Sequence, residues 1–189
     1  MHKIIIIGIS FLLCSCDNSS TSQVLDKRIM IEDFVSPTPK ALMLAINSKR
    51  KESRICIESE GLVGPSDALE WNKHLYYSAY EHSRDMALSN IFSHTGSGNE
   101  SDITGALENK KSLFSERIHR HLDIGSASTG ENIAVGMIAI DEVLEAWLKS
   151  PEHCANIMNN NFTDVGIGIV VDEESEYGIY WTQDFVRTY

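Results

Sequence analysis

The chain has 189 residues, of which 27 are acidic and 16 are basic, so its formal net charge at pH 7 is −11. An acidic surface repels the phosphates of nucleic acids and gains nothing from anionic lipid head groups, which argues against a nucleic-acid partner. The length is sufficient for one domain with a buried core.

The N-terminus has the pattern of an export signal. Lys3 is followed by an apolar run at residues 4–13, which is too short to cross a bilayer as a helix. A Leu-Cys-Ser-Cys sequence then ends at Cys16 and resembles the lipobox of bacterial lipoproteins, in which this cysteine becomes the acylated first residue. An ordinary cleaved signal peptide is the alternative. We therefore expect a lipoprotein signal peptide at residues 1–15.

Residues 16–39 are polar and poor in aromatic side chains, which is typical of a tether between a lipid anchor and a folded domain. Asp17 resembles the signal that keeps some lipoproteins in the inner membrane. We expect a lipoprotein of the bacterial cell envelope that faces the periplasm and is attached to the membrane through its N-terminal lipid. The domain itself is expected at residues 40–189.

Two amphipathic helices are predicted in the first half of the domain. Apolar residues recur at helical spacing in residues 40–51, directly after Pro39. A longer helix is predicted to begin near Asp67 and to end near Asn90, because Asp67 and Glu70 have the three-residue spacing of a capping box.

The second half of the domain changes from helical to strand periodicity. Residues 106–119 are predicted to be helical, and residues 140–148 form an amphipathic pattern that Pro151 ends. Apolar residues alternate with glycine in residues 165–171, which predicts a strand with one face open to the close approach of a neighbour. A second strand, rich in aromatic residues, is predicted at residues 177–187. Together these patterns indicate an α+β fold in which helices flank a small, mostly antiparallel sheet.

Short sequences in a fixed order carry a resemblance to a known family. They are Phe92-Ser93-His94-Thr95, Gly130-Glu131-Asn132-Ile133-Ala134, Ser150-Pro151-Glu152-His153-Cys154-Ala155-Asn156-Ile157-Met158, Phe162-Thr163-Asp164-Val165-Gly166-Ile167-Gly168 and Tyr180-Trp181-Thr182-Gln183-Asp184-Phe185. In this order they resemble the bacterial branch of the CAP superfamily, whose domain is shared with cysteine-rich secretory and plant pathogenesis-related proteins. The resemblance covers residues 40–189 and implies the CAP-type α-β-α sandwich.

The four cysteines divide between the signal and the domain. If Cys14 leaves with the signal peptide and Cys16 is lipidated, Cys56 and Cys154 remain as a pair in an oxidising compartment. Some bacterial CAP domains have cysteines at similar places. A metal site would need further thiols or closer spacing, so we expect a Cys56–Cys154 disulfide.

His94, Glu131 and His153 match, one by one, the cleft residues of the CAP family. In many relatives a glutamate three positions after a helix tryptophan completes a tetrad, but the third residue after Trp147 is Ser150 here. Two imidazoles and a carboxylate could hold Zn²⁺ and leave a position for water. They could also exchange protons near neutral pH, or form a hydrogen-bonded network that orders the cleft. The sequence leaves these alternatives open.

The resemblance thus implies an exported, lipid-anchored protein whose cleft binds a small, peptide-like or lipid-like ligand, either alone or together with a divalent metal, Zn²⁺. The alternative is a metal-assisted hydrolase of peptides or of cell-envelope polymer, with His94, Glu131 and His153 as catalytic candidates and Glu131 as the base. The missing carboxylate at Ser150 favours the binding protein. The histidines elsewhere are interpreted as surface or packing residues: His74, His82, His119 and His121.

Overall fold

The computed structural model describes residues 31–32, 34–123, 125 and 128–187. The expected signal peptide, the lipidation site Cys16 and the first part of the tether, residues 1–30, lie outside these ranges. In the part of the chain that is described, no helix is both long and apolar enough to cross a membrane.

The helices and strands of the described residues follow one another as α1 (Pro39–Arg50), β1 (Arg54–Ile55), a 3-10 turn (Glu58–Glu60), β2 (Leu62–Val63), β3 (Glu70–Trp71), α2 (Lys73–Ser89), α3 (Ile103–Ala106), α4 (Phe114–His121), β4 (Thr129–Val135), α5 (Ile140–Lys149), α6 (Pro151–Met158), β5 (Asp164–Val171) and β6 (Ile179–Val186).

The main sheet has the strand order β3-β5-β6-β4. Strand β6 is antiparallel to both of its neighbours, and the short strand β3 runs parallel to β5. Strands β1 and β2 form a separate antiparallel pair. Helices α2 and α4 cover one face of the sheet, while α1, α5 and α6 pack on the other. The predicted α-β-α sandwich with a small, mostly antiparallel sheet is confirmed.

The larger core lies between the sheet and α1, α5 and α6. Two tryptophans, Trp147 of α5 and Trp181 of β6, are buried there together with Phe185. Each indole N–H donates to a backbone carbonyl at 2.9 Å, Trp147 to Ile133 and Trp181 to Met137. Burying these large rings stabilises the fold without leaving their polar atoms unpaired.

Helix α2 packs directly on β5 because two glycines leave no side chain between them. A Cβ atom on Gly166 would overlap the backbone nitrogen of Tyr76, and one on Gly168 would overlap that of Tyr80. This is the close approach that the glycine alternation predicts. It brings the buried face of α2 onto the sheet.

The predicted start of α2 at Asp67 is wrong. The helix begins at Lys73, and the side chain of Asn72 caps it by accepting a hydrogen bond from the backbone N–H of His74 at 2.9 Å. The reason is tertiary, because Glu70 and Trp71 pair with β5 as strand β3 and are not available to the helix.

Other boundaries differ because local patterns do not show where a turn interrupts a helix. The helix predicted at 106–119 begins only at Phe114 and continues to His121, as α4. Pro151 ends α5 as predicted, but it also occupies the first turn of a further helix, α6. Strand β4, which carries Glu131, was not predicted from its sequence.

Candidate functional site

Glu131 lies at the centre of the candidate site, on strand β4, and its side chain is only 1% exposed. Its Oε1 is hydrogen-bonded to His94 Nδ1 at 2.8 Å, and its Oε2 accepts a hydrogen bond from Arg117 Nη2 at 2.7 Å. The Arg117 side chain, on α4, is equally buried. Both carboxylate oxygens are therefore engaged, one of them in a buried ion pair.

His94 is presented by the loop after α2, and 48% of its side chain is exposed. Two buried carboxylates order this loop. Asp85 accepts the backbone N–H of Ser97 at 2.7 Å, and Asp102 accepts that of Ser112 at 2.9 Å. Hydrogen bonds of this kind satisfy backbone donors that would otherwise be buried without partners. The loop can therefore hold the His94 ring against Glu131.

His153 lies on α6, and its ring centroid is 6.0 Å from that of His94. The backbone carbonyl of His153 accepts a hydrogen bond from Asn132 Nδ2 at 3.2 Å, which ties α6 to β4. Burial, and then the neighbouring His94, lower the pKa of His153 below its usual value, so this imidazole is mainly neutral at pH 7. The structure thus brings His94, Glu131 and His153 together.

The predicted Cys56–Cys154 disulfide is confirmed. It joins residues 98 positions apart, with a distance of 5.3 Å between their Cα atoms. Cys154 is fully buried and lies next to His153 on α6. The disulfide therefore anchors the helix that carries one of the two cleft histidines.

Arg117, His82 and Asp184 belong to the site but were not identified from the sequence. His82 is fully buried on α2; its Nε2 hydrogen-bonds to Ser93 O at 2.8 Å and lies 4.0 Å from Glu131 Oε1. Burial lowers the pKa of His82. It was interpreted as a packing or surface residue, and its helical position carried no signal that a carboxylate from a distant strand would lie beside it.

The charges around Glu131 decide its ionisation. Burial alone would raise its pKa, but His82, the guanidinium of Arg117 and the hydrogen bonds from His94 and Arg117 outweigh that effect and lower it. For Asp184, burial raises the pKa well above the ordinary value, and the negative charge of Glu131 raises it further. The site therefore holds an ionised Glu131 next to a protonated Asp184.

The fit of a metal ion can be judged from the donor set. Within residues 31–32, 34–123, 125 and 128–187, no group of three or more His, Cys, Asp and Glu side chains is arranged to hold a metal ion. Glu131 is already hydrogen-bonded to His94 and accepts from a guanidinium that does not lose its proton, so it does not fit as a third ligand in this arrangement. The Zn²⁺ site stays a prediction. Zinc analysis of the purified protein, compared with the double variant His94→Ala and His153→Ala, tests it.

The fold and the site define a class of protein: an α-β-α sandwich in which a buried strand glutamate bonds a partly exposed histidine whose ring lies 6.0 Å from that of a second histidine. Residues 64–185 match the sequence profile of the cysteine-rich secretory protein family, CAP, and the chain belongs to this family.

Two relatives come from Bacillus subtilis (strain 168). The chain is 35% identical over 118 residues to an uncharacterized protein, YkwD, and 31% identical over 120 residues to an uncharacterized membrane protein, YlbC. These matches cover 62% and 63% of this chain but only 39% and 29% of the relatives. The chain thus spans well under half the length of the curated relatives it matches.

Solved structures share the fold. An extracellular protein containing an SCP domain from Bacillus anthracis superposes with a TM-score of 0.54 at 25% identity, covering 82% of this chain and 45% of that one. An outer surface protein from Borrelia burgdorferi has a TM-score of 0.54 at 20% identity and is covered to 99% of its length, against 82% of this chain. A cysteine-rich secretory protein from Staphylococcus aureus has a TM-score of 0.50 at 13% identity, with 82% and 40% covered. The last two likenesses support the fold alone.

Proposed function

We propose that the protein is an exported, lipid-anchored CAP-domain protein whose cleft at His94 and His153 binds a small, peptide-like or lipid-like ligand. The observation that carries the proposal is the state of Glu131, which is buried and bonded at both oxygens. A carboxylate in that state orders the cleft, while the partly exposed imidazoles are the groups that a ligand can touch.

The same observation supports a binding protein against the hydrolase. A general base must reach the proton of the attacking water within hydrogen-bond distance. Glu131 would first have to release Arg117 or His94 and become exposed to solvent. The position that carries a glutamate in many relatives is Ser150 here, so the chain offers no carboxylate at that place.

The proposed location rests on the relatives and on the disulfide. One solved neighbour is named as an extracellular protein, and one relative is named as a membrane protein. Disulfides persist mainly in oxidising compartments, which agrees with export. The lipid anchor on Cys16 is part of the proposal and rests on the sequence.

The test follows the ring protons of His94 and His153 by NMR while envelope lipids, peptidoglycan fragments or synthetic peptides are added to the full-length protein. We expect shift changes at both rings without consumption of the added compound, lost in His94→Ala and retained in His119→Ala, an exposed histidine of α4. Consumption of peptide or peptidoglycan that is lost in Glu131→Gln would establish the hydrolase instead. No response to any of these compounds would contradict the ligand classes proposed.

A further inference from the structure

Arg117 connects three parts of the site through one buried guanidinium. Its Nη2 donates to Glu131 Oε2 at 2.7 Å and to the backbone carbonyl of His94 at 3.0 Å. Its Nη1 donates to Ser112 Oγ at 2.9 Å and to the carbonyl of the same residue at 3.3 Å. The residue thus contacts the strand glutamate and, at His94 and Ser112, both ends of the segment that joins α2 to α4.

The chemistry of these partners restricts where the proton on His94 can be. A guanidinium keeps its proton in proteins, and a buried carboxylate stays ionised when such a charge is paired with it. An ionised carboxylate can only accept hydrogen bonds. At 2.8 Å from Glu131 Oε1, His94 Nδ1 must therefore be the donor, which leaves the lone pair of a neutral ring on Nε2.

We propose that Arg117 is a positioning residue that fixes the tautomer of His94, with the proton on Nδ1 and the lone pair of Nε2 left for the cleft. Without the guanidinium, the buried Glu131 carboxyl would take up a proton. A protonated carboxyl can donate to Nδ1, and the ring proton then moves to Nε2. The nitrogen that His94 presents to a ligand, Nε2, would then donate a hydrogen bond instead of accepting one.

No neighbour of Glu131 among the described residues takes the place of Arg117. His82 Nε2 is 4.0 Å from Oε1, beyond hydrogen-bond reach, and burial lowers its pKa. Asp184 faces Glu131 across the strand pair and carries no positive charge. His82 and Arg117 both lower the pKa of Glu131, but only Arg117 combines a permanent charge with a direct hydrogen bond to the carboxylate.

This inference deepens the proposed function, and only its consequence for ligand binding rests on that function. The consequence is that the cleft would present a hydrogen-bond acceptor, Nε2 of His94, to a ligand that donates a hydroxyl or amide N–H. The tautomer itself can be measured without a ligand. A failure of the inference and a failure of the proposed function are thus separate results.

The experiment records two-bond ¹H–¹⁵N spectra of the histidine rings in full-length protein at about pH 8, where free imidazoles are neutral. We expect His94 in the Nδ1–H form in the wild type. In Arg117→Met, the shifts of the two ring nitrogens should move toward those of the Nε2–H form. Arg120→Met, on the exposed side of the same helix, should leave His94 unchanged.

Folding of each variant is checked by the indole N–H signals of Trp147 and Trp181. If Arg117→Met does not fold, the double variant Arg117→Met with Glu131→Gln removes the unpaired buried charge. Its His94 ring should then match that of Glu131→Gln alone, because Arg117 acts on the tautomer only through the carboxylate, and a clear difference between the two would contradict the inference. A wild-type His94 with its proton on Nε2 overturns the inference, as does a folded variant without Arg117 in which the Nδ1–H form persists unchanged.

Discussion

Glu131 of β4 and Asp184 of β6 are cross-strand partners, and the pKa values of their buried carboxyl groups are shifted in opposite directions. His82 and the Arg117 guanidinium, which bonds Glu131, lower the pKa of that carboxyl group and keep it ionised. Burial and the charge of Glu131 then keep Asp184 protonated. Two carboxyl groups on neighbouring strands are tolerated because only one of them carries charge.

Replacement of Asp184 by asparagine should therefore preserve the fold and reduce its dependence on pH. The pKa of Asp184 is raised in the folded state. The contribution of Asp184 to stability is therefore fully present below its unfolded pKa of about 3.9, and it is lost as the pH rises toward its pKa in the folded protein. Asparagine is neutral throughout this range. In urea unfolding, Asp184→Asn should be at least as stable as the wild type at pH 7 and should lose less stability between pH 4 and 7.

The comparison variant is Asp85→Asn. The Asp85 carboxylate accepts from Ser97 N, Ser97 Oγ and Ser101 Oγ, and an amide NH₂ cannot replace an acceptor. We expect a loss of about 1–3 kcal/mol for this variant. Equal destabilisation by the two substitutions at pH 7 would contradict a neutral Asp184.

Reduction of the Cys56–Cys154 disulfide should lower the melting temperature. The loop that it closes is close to 100 residues long, for which the chain-entropy estimate is up to about 4.7 kcal/mol. Cys56→Ala with Cys154→Ala should show the same loss and should no longer respond to reductant. Since Cys154 adjoins His153, the ring signals of His153 should also shift more than those of the distant His119. Free thiols at both positions in alkylated, unreduced protein would contradict the prediction.

Alanine at Gly168 should destabilise the protein by about 1–3 kcal/mol, because the new Cβ meets the backbone of α2 at Tyr80 and forces it away from β5. Val171→Ala, at the exposed end of the same strand, should change the free energy of unfolding by much less. Denaturant unfolding measures both variants. Unchanged stability of Gly168→Ala would mean that the helix and the strand are not in backbone contact.

Cys16→Ser should release the protein from membranes or block its maturation, because the proposed lipid is attached through the thiol of this cysteine. Fractionation of cells and the electrophoretic mobility of the mature protein measure the effect. Cys14→Ser is the comparison, because a residue removed with the signal peptide does not carry the lipid. A Cys16→Ser protein that fractionates and migrates like the wild type would show that Cys16 is not the anchor.

The sequence by itself determined those features that depend on neighbours along the chain. The glycine alternation at 166 and 168 predicted both a strand and the close approach of a helix, because the side-chain period of a strand is local. The ordered motifs pointed to His94, Glu131 and His153, and the structure brings these residues together. The disulfide was predicted from the number and places of the cysteines.

Only the tertiary structure decided the electrostatics of the site. Arg117 and Glu131 are 14 positions apart on a helix and a strand, and no period of the sequence indicates that these elements pack together. The register of β4 and β6 places Asp184 opposite Glu131, and the sheet likewise takes Glu70 and Trp71 away from the start of α2. Burial, which sets the ionisation of these groups, exists only once the layers are assembled, so the charge of the cleft is a property of the packed fold.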